Sequence, residues 1–179
     1  MFRCAYIIVM KTLIIGLGNP ILGDDGVGWT VTREVESRLP SPLRPSPNNG
    51  SGDEGEIRAD CLAVGGIRLM EQMIGYDRVI LIDSINTGAH PQGTVTVFTL
   101  DELVGLRDGH SASAHDTTLN MALVLGRASG AELPQNQDVV VVAIQAEHVY
   151  DFTQALTPEI AAAVPQAVQC VIDLLQMND

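Results

Sequence analysis

Four side chains in this sequence could do chemistry together. Asp24 and Asp25 sit side by side in a short loop, Asp83 ends an apolar run, and His115 opens a helix-like segment behind the polar stretch GHSASAHD. Two carboxylates and one imidazole make an O,O,N donor set, suited to a divalent transition metal with open coordination positions. Two carboxylates held close could instead share a proton and do acid–base work. Each residue also has a plain structural reading. An acidic pair before a helix serves as cap and first-turn charge, an Asp at a strand end forms turns, and a His among serines is simply solvated. Their convergence is what favours chemistry, and convergence depends on the elements that carry them.

The segment Lys11 to Gly28 (KTLIIGLGNPILGDDGVG) supplies the first of these elements. An apolar run stops at Gly16-Leu17-Gly18-Asn19-Pro20, a loop delivers the two acids, and Gly26-Val27-Gly28 leads into a helical pattern. A buried strand that breaks into a glycine-rich loop and returns as a helix is how α/β proteins build sites at strand carboxyl ends. The pattern predicts strands at Leu13–Leu17, Glu56–Asp60, Arg78–Asp83, Thr94–Phe98 and Asp138–Ile144. Helices are expected at Val27–Leu39, Gly65–Ile74, His115–Ala128 and Thr157–Gln176, the last with Thr157 as N-cap and Pro158 in its first turn. The run RVILID reads as a central strand covered on both faces. TVTVF alternates, so it reads as peripheral and is expected to form an antiparallel hairpin with its predecessor through Asn86–Gly93. Alternating β and α elements predict a three-layer α/β/α sandwich on a mostly parallel, roughly five-stranded sheet with one antiparallel strand. In such a sheet the loops after the first and third strands open on one edge, which brings Asp25 and Asp83 together. The GHSASAHD segment must cross that edge to reach the helix begun by His115.

Length and composition set the outer limits. The 179 residues suit one domain, expected over residues 11–177, with 1–10 as an N-terminal extension and the Pro-, Ser-, Asn- and Gly-rich stretch 40–55 as a flexible insertion. The formal net charge is −12, from 22 acidic and 10 basic residues, and Lys11 is the sole lysine. That balance speaks against nucleic acid and anionic membranes as partners, since both are bound through clustered Lys and Arg. The apolar start MFRCAYIIVM is too short to span a bilayer. The cysteines Cys4, Cys61 and Cys170 have no paired spacing, which suits a reducing cytoplasm.

Taken together, GLGNPILGDDGVG, RVILIDSI, SAHDTTL and LTPEI resemble the hydrogenase maturation proteases, in the right order and from Lys11 to Leu175. The resemblance implies an endopeptidase that removes the C-terminal extension from the large-subunit precursor of a nickel–iron hydrogenase. It also implies no organic cofactor and an enzyme that engages nickel through the metal centre of its substrate; a cytoplasmic monomer is the accompanying expectation. Matched position by position, the acid that contacts nickel falls on Asp25, the strand-end aspartate on Asp83, and the histidine on His115. Two departures stand out. Some members carry Glu where this chain has Asp25, and the family's Asp-Gly-Gly-Thr-x-Gly stretch appears here as Asp60-Cys61-Leu62-Ala63-Val64-Gly65-Gly66.

Other polar residues are assigned lesser roles. Asp24 is expected to act as a helix cap or to support Asp25, His90 and His148 to be exposed loop residues, and Cys61 to behave as a small hydrophobe. His110 is the competitor of His115. Ile21, Leu22 and Ile85 are expected to offer apolar contact area around the site, the alternative being that they tuck into the core. Three rival functions are weaker. A peptidyl-tRNA hydrolase would share GLGNP but needs a histidine soon after it and a basic surface. A dinucleotide-binding module, with Asp60 as its ribose acid, needs GxGxxG, whereas Gly16-x-Gly18 is followed by Gly23. A receiver-like signalling domain needs a lysine late in the chain.

Overall fold

The computed structural model describes residues 10–39, 57–105, 114–147 and 149–176; the 40–55 insertion, His110 and His148 lie outside these. Five strands, β1 (Thr12–Leu17), β2 (Ile57–Leu62), β3 (Arg78–Ile85), β4 (Val95–Thr99) and β5 (Val139–Gln145), form one sheet. Its order is β2-β1-β3-β5-β4, parallel except for β4. The helices are α1 (Val27–Arg38), α2 (Gly66–Gln72), α3 (Leu100–Gly105), α4 (Ala114–Ala128) and α5 (Pro158–Gln176).

Alternation along the strands sorts the core into two layers. Leu13, Ile15, Val79, Leu81, Val139 and Val141 face one way and pack with Leu69, Met70 and Met73 of α2 and its vicinity and Leu119 and Leu123 of α4. Ile14, Ile80, Ile82, Val142 and Ile144 face the other way, against Val27, Val31 and Val35 of α1 and a stripe of α5. That stripe, Ile160, Ala163, Val164, Ala167, Val168 and Val171, recurs at three- and four-residue intervals. Each of its larger members contributes about 1.5–3 kcal/mol by leaving water. By length and composition α5 would also suit a membrane span, yet this stripe is packed inside the sandwich.

One pairing differs from expectation. β4 does not form a hairpin with β3; it pairs antiparallel with β5, from Val95↔Ile144 to Thr99↔Val140. The free edge of β3 is taken by β5, from Val79↔Val139 to Ile85↔Gln145. Burial explains the preference. Every residue of VVVVAIQ in β5 is buried, as a strand covered on both faces requires, while β4 leaves Val97 exposed. A strand this rich in apolar residues gains most in the interior, so β5 takes the place beside β3 and β4 the rim. The loop after β3 then passes over the end of β5, with Gly93 N–H donating to Gln145 O at 2.8 Å and Gln145 N–H to Thr94 O at 2.9 Å. Helix α3 was not expected. It begins with a reciprocal cap, Thr99 N–H to Glu102 Oε2 at 2.7 Å and Glu102 N–H to Thr99 Oγ1 at 3.4 Å.

Candidate active site

Glycine determines how the acidic loop is held. Gly16 and Gly28 let the start of α1 lie directly on the sheet: a Cβ on Gly28 would meet the Ile82 and Leu17 carbonyl oxygens at 2.4 Å, and one on Gly16 would meet Gly28 O at the same distance. Gly18 has φ +110, and a Cβ there would sit 1.8 Å from Asp25 O. The glycines of this motif therefore serve close packing and fold the Asp25 loop back over the end of β1. The dinucleotide reading, in which they would admit a pyrophosphate, gains nothing from this arrangement.

Within the loop, residues 23–26 form a single 3₁₀ turn. Asn19 organises its entry, taking Leu22 N–H on its carbonyl at 3.0 Å and Ile21 N–H on its side-chain oxygen at 3.2 Å. Asp25, half-buried, accepts Asn19 N–H on Oδ2 at 2.6 Å and the Ser84 hydroxyl on Oδ1 at 3.3 Å. Each oxygen keeps a lone pair for a further partner. β3 does not end on Asp83 as expected but continues through Ser84 to Ile85, paired with β5 throughout, so Asp83 lies inside the strand, one residue from the Ser84 that anchors the loop acid. Unbroken pairing with β5 puts Asp83 on the face of Val79 and Leu81, the α4 side, and Ser84 on the α1/α5 side. Asp25 and Asp83 thus flank the end of β3 from its two sides.

Asp24 does something different. It is fully buried, and it accepts Thr157 N–H on Oδ1 at 2.7 Å, and the Thr157 hydroxyl and Gln92 Nε2 on Oδ2 at 2.9 and 3.3 Å. Gln92 Nε2 also lies 2.9 Å from Thr157 Oγ1. The expected cap on the helix that follows is not formed, because the carboxylate is engaged elsewhere. Asp24 caps α5, 133 residues away in sequence, and not its own helix α1, whose N-cap Gly26 makes no side-chain cap. One carboxylate thereby ties the Asp25 loop to the start of α5 and to the β3–β4 connection. Asp24→Ala should strand the Thr157 donors and destabilise the fold by about 3 kcal/mol, and Asp24→Asn, which keeps an acceptor, by about 1 kcal/mol. Urea denaturation of the two variants measures this; equal, negligible losses would refute the clamp.

His115 stands in the first turn of α4, and its side chain lies outside the described set. The course of the helix still places its backbone. Gly126 packs on Leu133 and Met70, and the chain beyond α4 reaches the start of β3, where Glu132 O accepts Gly75 N–H at 2.9 Å and Lys11 O accepts Asp77 N–H at 3.0 Å. The C-terminal end of α4 is therefore at the amino edge of the sheet. Its 15 residues cover about 22 Å, which carries the first turn to the carboxyl edge, on the face that bears Asp83. Among the described residues, no three His, Cys, Asp or Glu side chains gather into a metal-binding group.

The remaining assignments divide. His90 is exposed, as expected. Ile21 is exposed, whereas Ile85 is half-buried against the core, which favours the tucked-in alternative for that residue. Cys61 is half-buried, and burial pushes its thiol up despite the opposing pull of Arg33, so it is held in the protonated, unreactive form. Asn19, Ser84, Gln92 and the partnership of Thr157 with Asp24 escaped the sequence reading. Ser84 had a signal, for it stands on the opposite face of β3 from Asp83 at the same strand end. Gln92 had none.

Fold and site together define an α/β protein whose acidic groups are held at the carboxyl edge of a parallel sheet. Known proteins identify the family. The profile of the hydrogenase maturation protease family HycI matches residues 64–174. A provisionally named hydrogenase maturation protease of Methanocaldococcus jannaschii is 30% identical over 89% of this chain and 93% of its own. The hydrogenase 2 maturation protease of Escherichia coli is 26% identical over 93% and 92%. The solved structure of the E. coli hydrogenase maturating endopeptidase HybD superposes with a TM-score of 0.73 over 94% of both chains at 23% identity, and so matches in fold. The chain belongs to the hydrogenase maturation proteases and is a hydrolase of peptide bonds.

Proposed function

We propose that this protein removes the C-terminal extension of a nickel–iron hydrogenase large-subunit precursor, in the cytoplasm and as a monomer, and that Asp25, Asp83 and His115 engage the nickel already seated in that precursor. The observation that supports the reading is the Asp25–Ser84 contact, which anchors the loop acid to the residue that follows Asp83 in β3. Two carboxylates and one imidazole suit a borderline divalent ion, and a site of three donors on separate elements leaves positions open to the substrate's own ligands. Nickel belongs to the substrate in this scheme and acts as the recognition key that sets the scissile peptide against the enzyme. Asp25, less enclosed than Asp24, is the group we assign to accept a proton from the attacking water. That makes the reaction a carboxylate-assisted hydrolysis at a metal-marked substrate.

The test is incubation of the protein with nickel-loaded and nickel-free precursor, followed by mass spectrometry of the large subunit. Loss of the C-terminal peptide from the loaded form alone is expected. Equal cleavage of both forms would remove nickel from the recognition step, and cleavage of neither would remove the function.

A further inference from the structure

The chain is poor in aromatic residues, at 4%, yet two of them stand almost fully in water: Tyr150 is 82% and Phe152 87% exposed. Both lie in the loop between β5 and α5. An aromatic side chain in that position leaves a large apolar area uncovered, and exposed aromatics of this kind are characteristic anchors of interfaces. Their location relative to the acids is fixed by the backbone. Thr153 O accepts Gly23 N–H at 2.7 Å, Leu22 forms a parallel bridge with Thr153, and Asp24 holds Thr157. The aromatic loop and the Asp25 loop are thus fastened to one another at two points, Thr153 and Thr157. Counting at most about 3.6 Å per residue, the backbone of Phe152 lies within roughly 15 Å of that of Asp25, four or five extended residues along a bound peptide. Ile21, 46% exposed, continues the apolar surface on the Asp25 loop itself.

We propose that Tyr150 and Phe152, with Ile21, form a lip that docks the C-terminal extension of the precursor. This rests on the function proposed above. The lip is on the α5 side of Asp25, whereas Asp83 and the start of α4 are on the other face of the sheet. With the metal-bearing body of the precursor engaged at Asp83 and His115, the polypeptide beyond the scissile bond crosses Asp25 and runs over this loop. Residues 147–159 contain Glu147, Asp151 and Glu159 and neither Lys nor Arg. The matching occupant is therefore an extended segment with apolar side chains and neighbouring basic ones.

Tyr150→Ser/Phe152→Ser changes two solvent-exposed side chains and should leave the melting temperature in place. Binding is read by the anisotropy of a fluorescein-labelled synthetic peptide with the sequence of the precursor's C-terminal extension, and processing by steady-state cleavage of nickel-loaded precursor. The double variant should bind the peptide about tenfold more weakly and show a KM raised to match, with kcat within about twofold of wild type. Peptide binding to the wild type should weaken with added salt. Unchanged peptide affinity and KM in the variant would overturn the lip while leaving the protease reading intact; precursor left uncut by the wild type would overturn that reading itself. A defect seen equally with precursor already lacking its extension would assign the aromatics to the folded body. A wild-type dimer in light scattering that the variant dissolves would assign them to self-association. Either result overturns the proposal.

Discussion

Asp25→Asn and Asp83→Asn should each lower precursor processing by about 10²-fold or more while the protein stays folded. Asparagine preserves the shape of either side chain. At position 25 its carbonyl can still accept Asn19 N–H and its amide can donate to the Ser84 hydroxyl, reversing the sense of that bond without breaking it. What disappears is the negative charge, together with the ability to take a proton or to bind a divalent ion strongly. The measurement is the rate of large-subunit trimming followed by mass, with circular dichroism melting as the check on folding. Asp24→Asn should process far better than Asp25→Asn, because Asp24 is sealed among Thr157 and Gln92 and has no approach from solvent. The opposite ranking, with Asp24 indispensable and Asp25 dispensable, would place the reactive acid one residue earlier.

The division of labour in the acidic pair marks the boundary of what the sequence could reveal. Two adjacent aspartates in a glycine-rich loop mark a candidate site, and the apolar runs around Ile15 and Leu81 predict the parallel strands of the sheet. Local pattern is sufficient there because strand burial and helix periodicity are properties of neighbouring residues. The fate of Asp24 is not local. Its partners are Thr157 and Gln92, which meet it only after β5 has entered the sheet and α5 has folded back over the same face. The hairpin expected between β3 and β4 fails for the same reason. A short loop with Gly88, Pro91 and Gly93 looks like a turn, but the competition between β4 and β5 for the edge of β3 is decided by how much apolar surface each strand buries across the whole sandwich. Helix α3 is a different kind of omission: Thr99 and Glu102 carry the three-residue spacing of a reciprocal cap and could have been read.

His115→Ala is the second large effect expected, and it isolates the one donor assigned through the course of a helix. Imidazole is the intermediate-softness ligand in the set, and its loss leaves two hard oxygens that favour other ions. Processing should fall by about 10²-fold, on the scale at which metal ligands and their supports act. His90→Ala should retain most activity, since His90 is exposed in the β3–β4 connection. His110→Ala and His148→Ala should do likewise, although both positions lie outside the described residues. The discriminating measurement is a crystal soaked with nickel. Anomalous density bounded by Asp25, Asp83 and His115 is the expected result, and His115→Ala should abolish it while His110→Ala should not. Density shared with His110 instead would move the imidazole ligand into the segment before α4. The loop preceding that helix, and not its first turn, would then face the carboxylates at the end of β3.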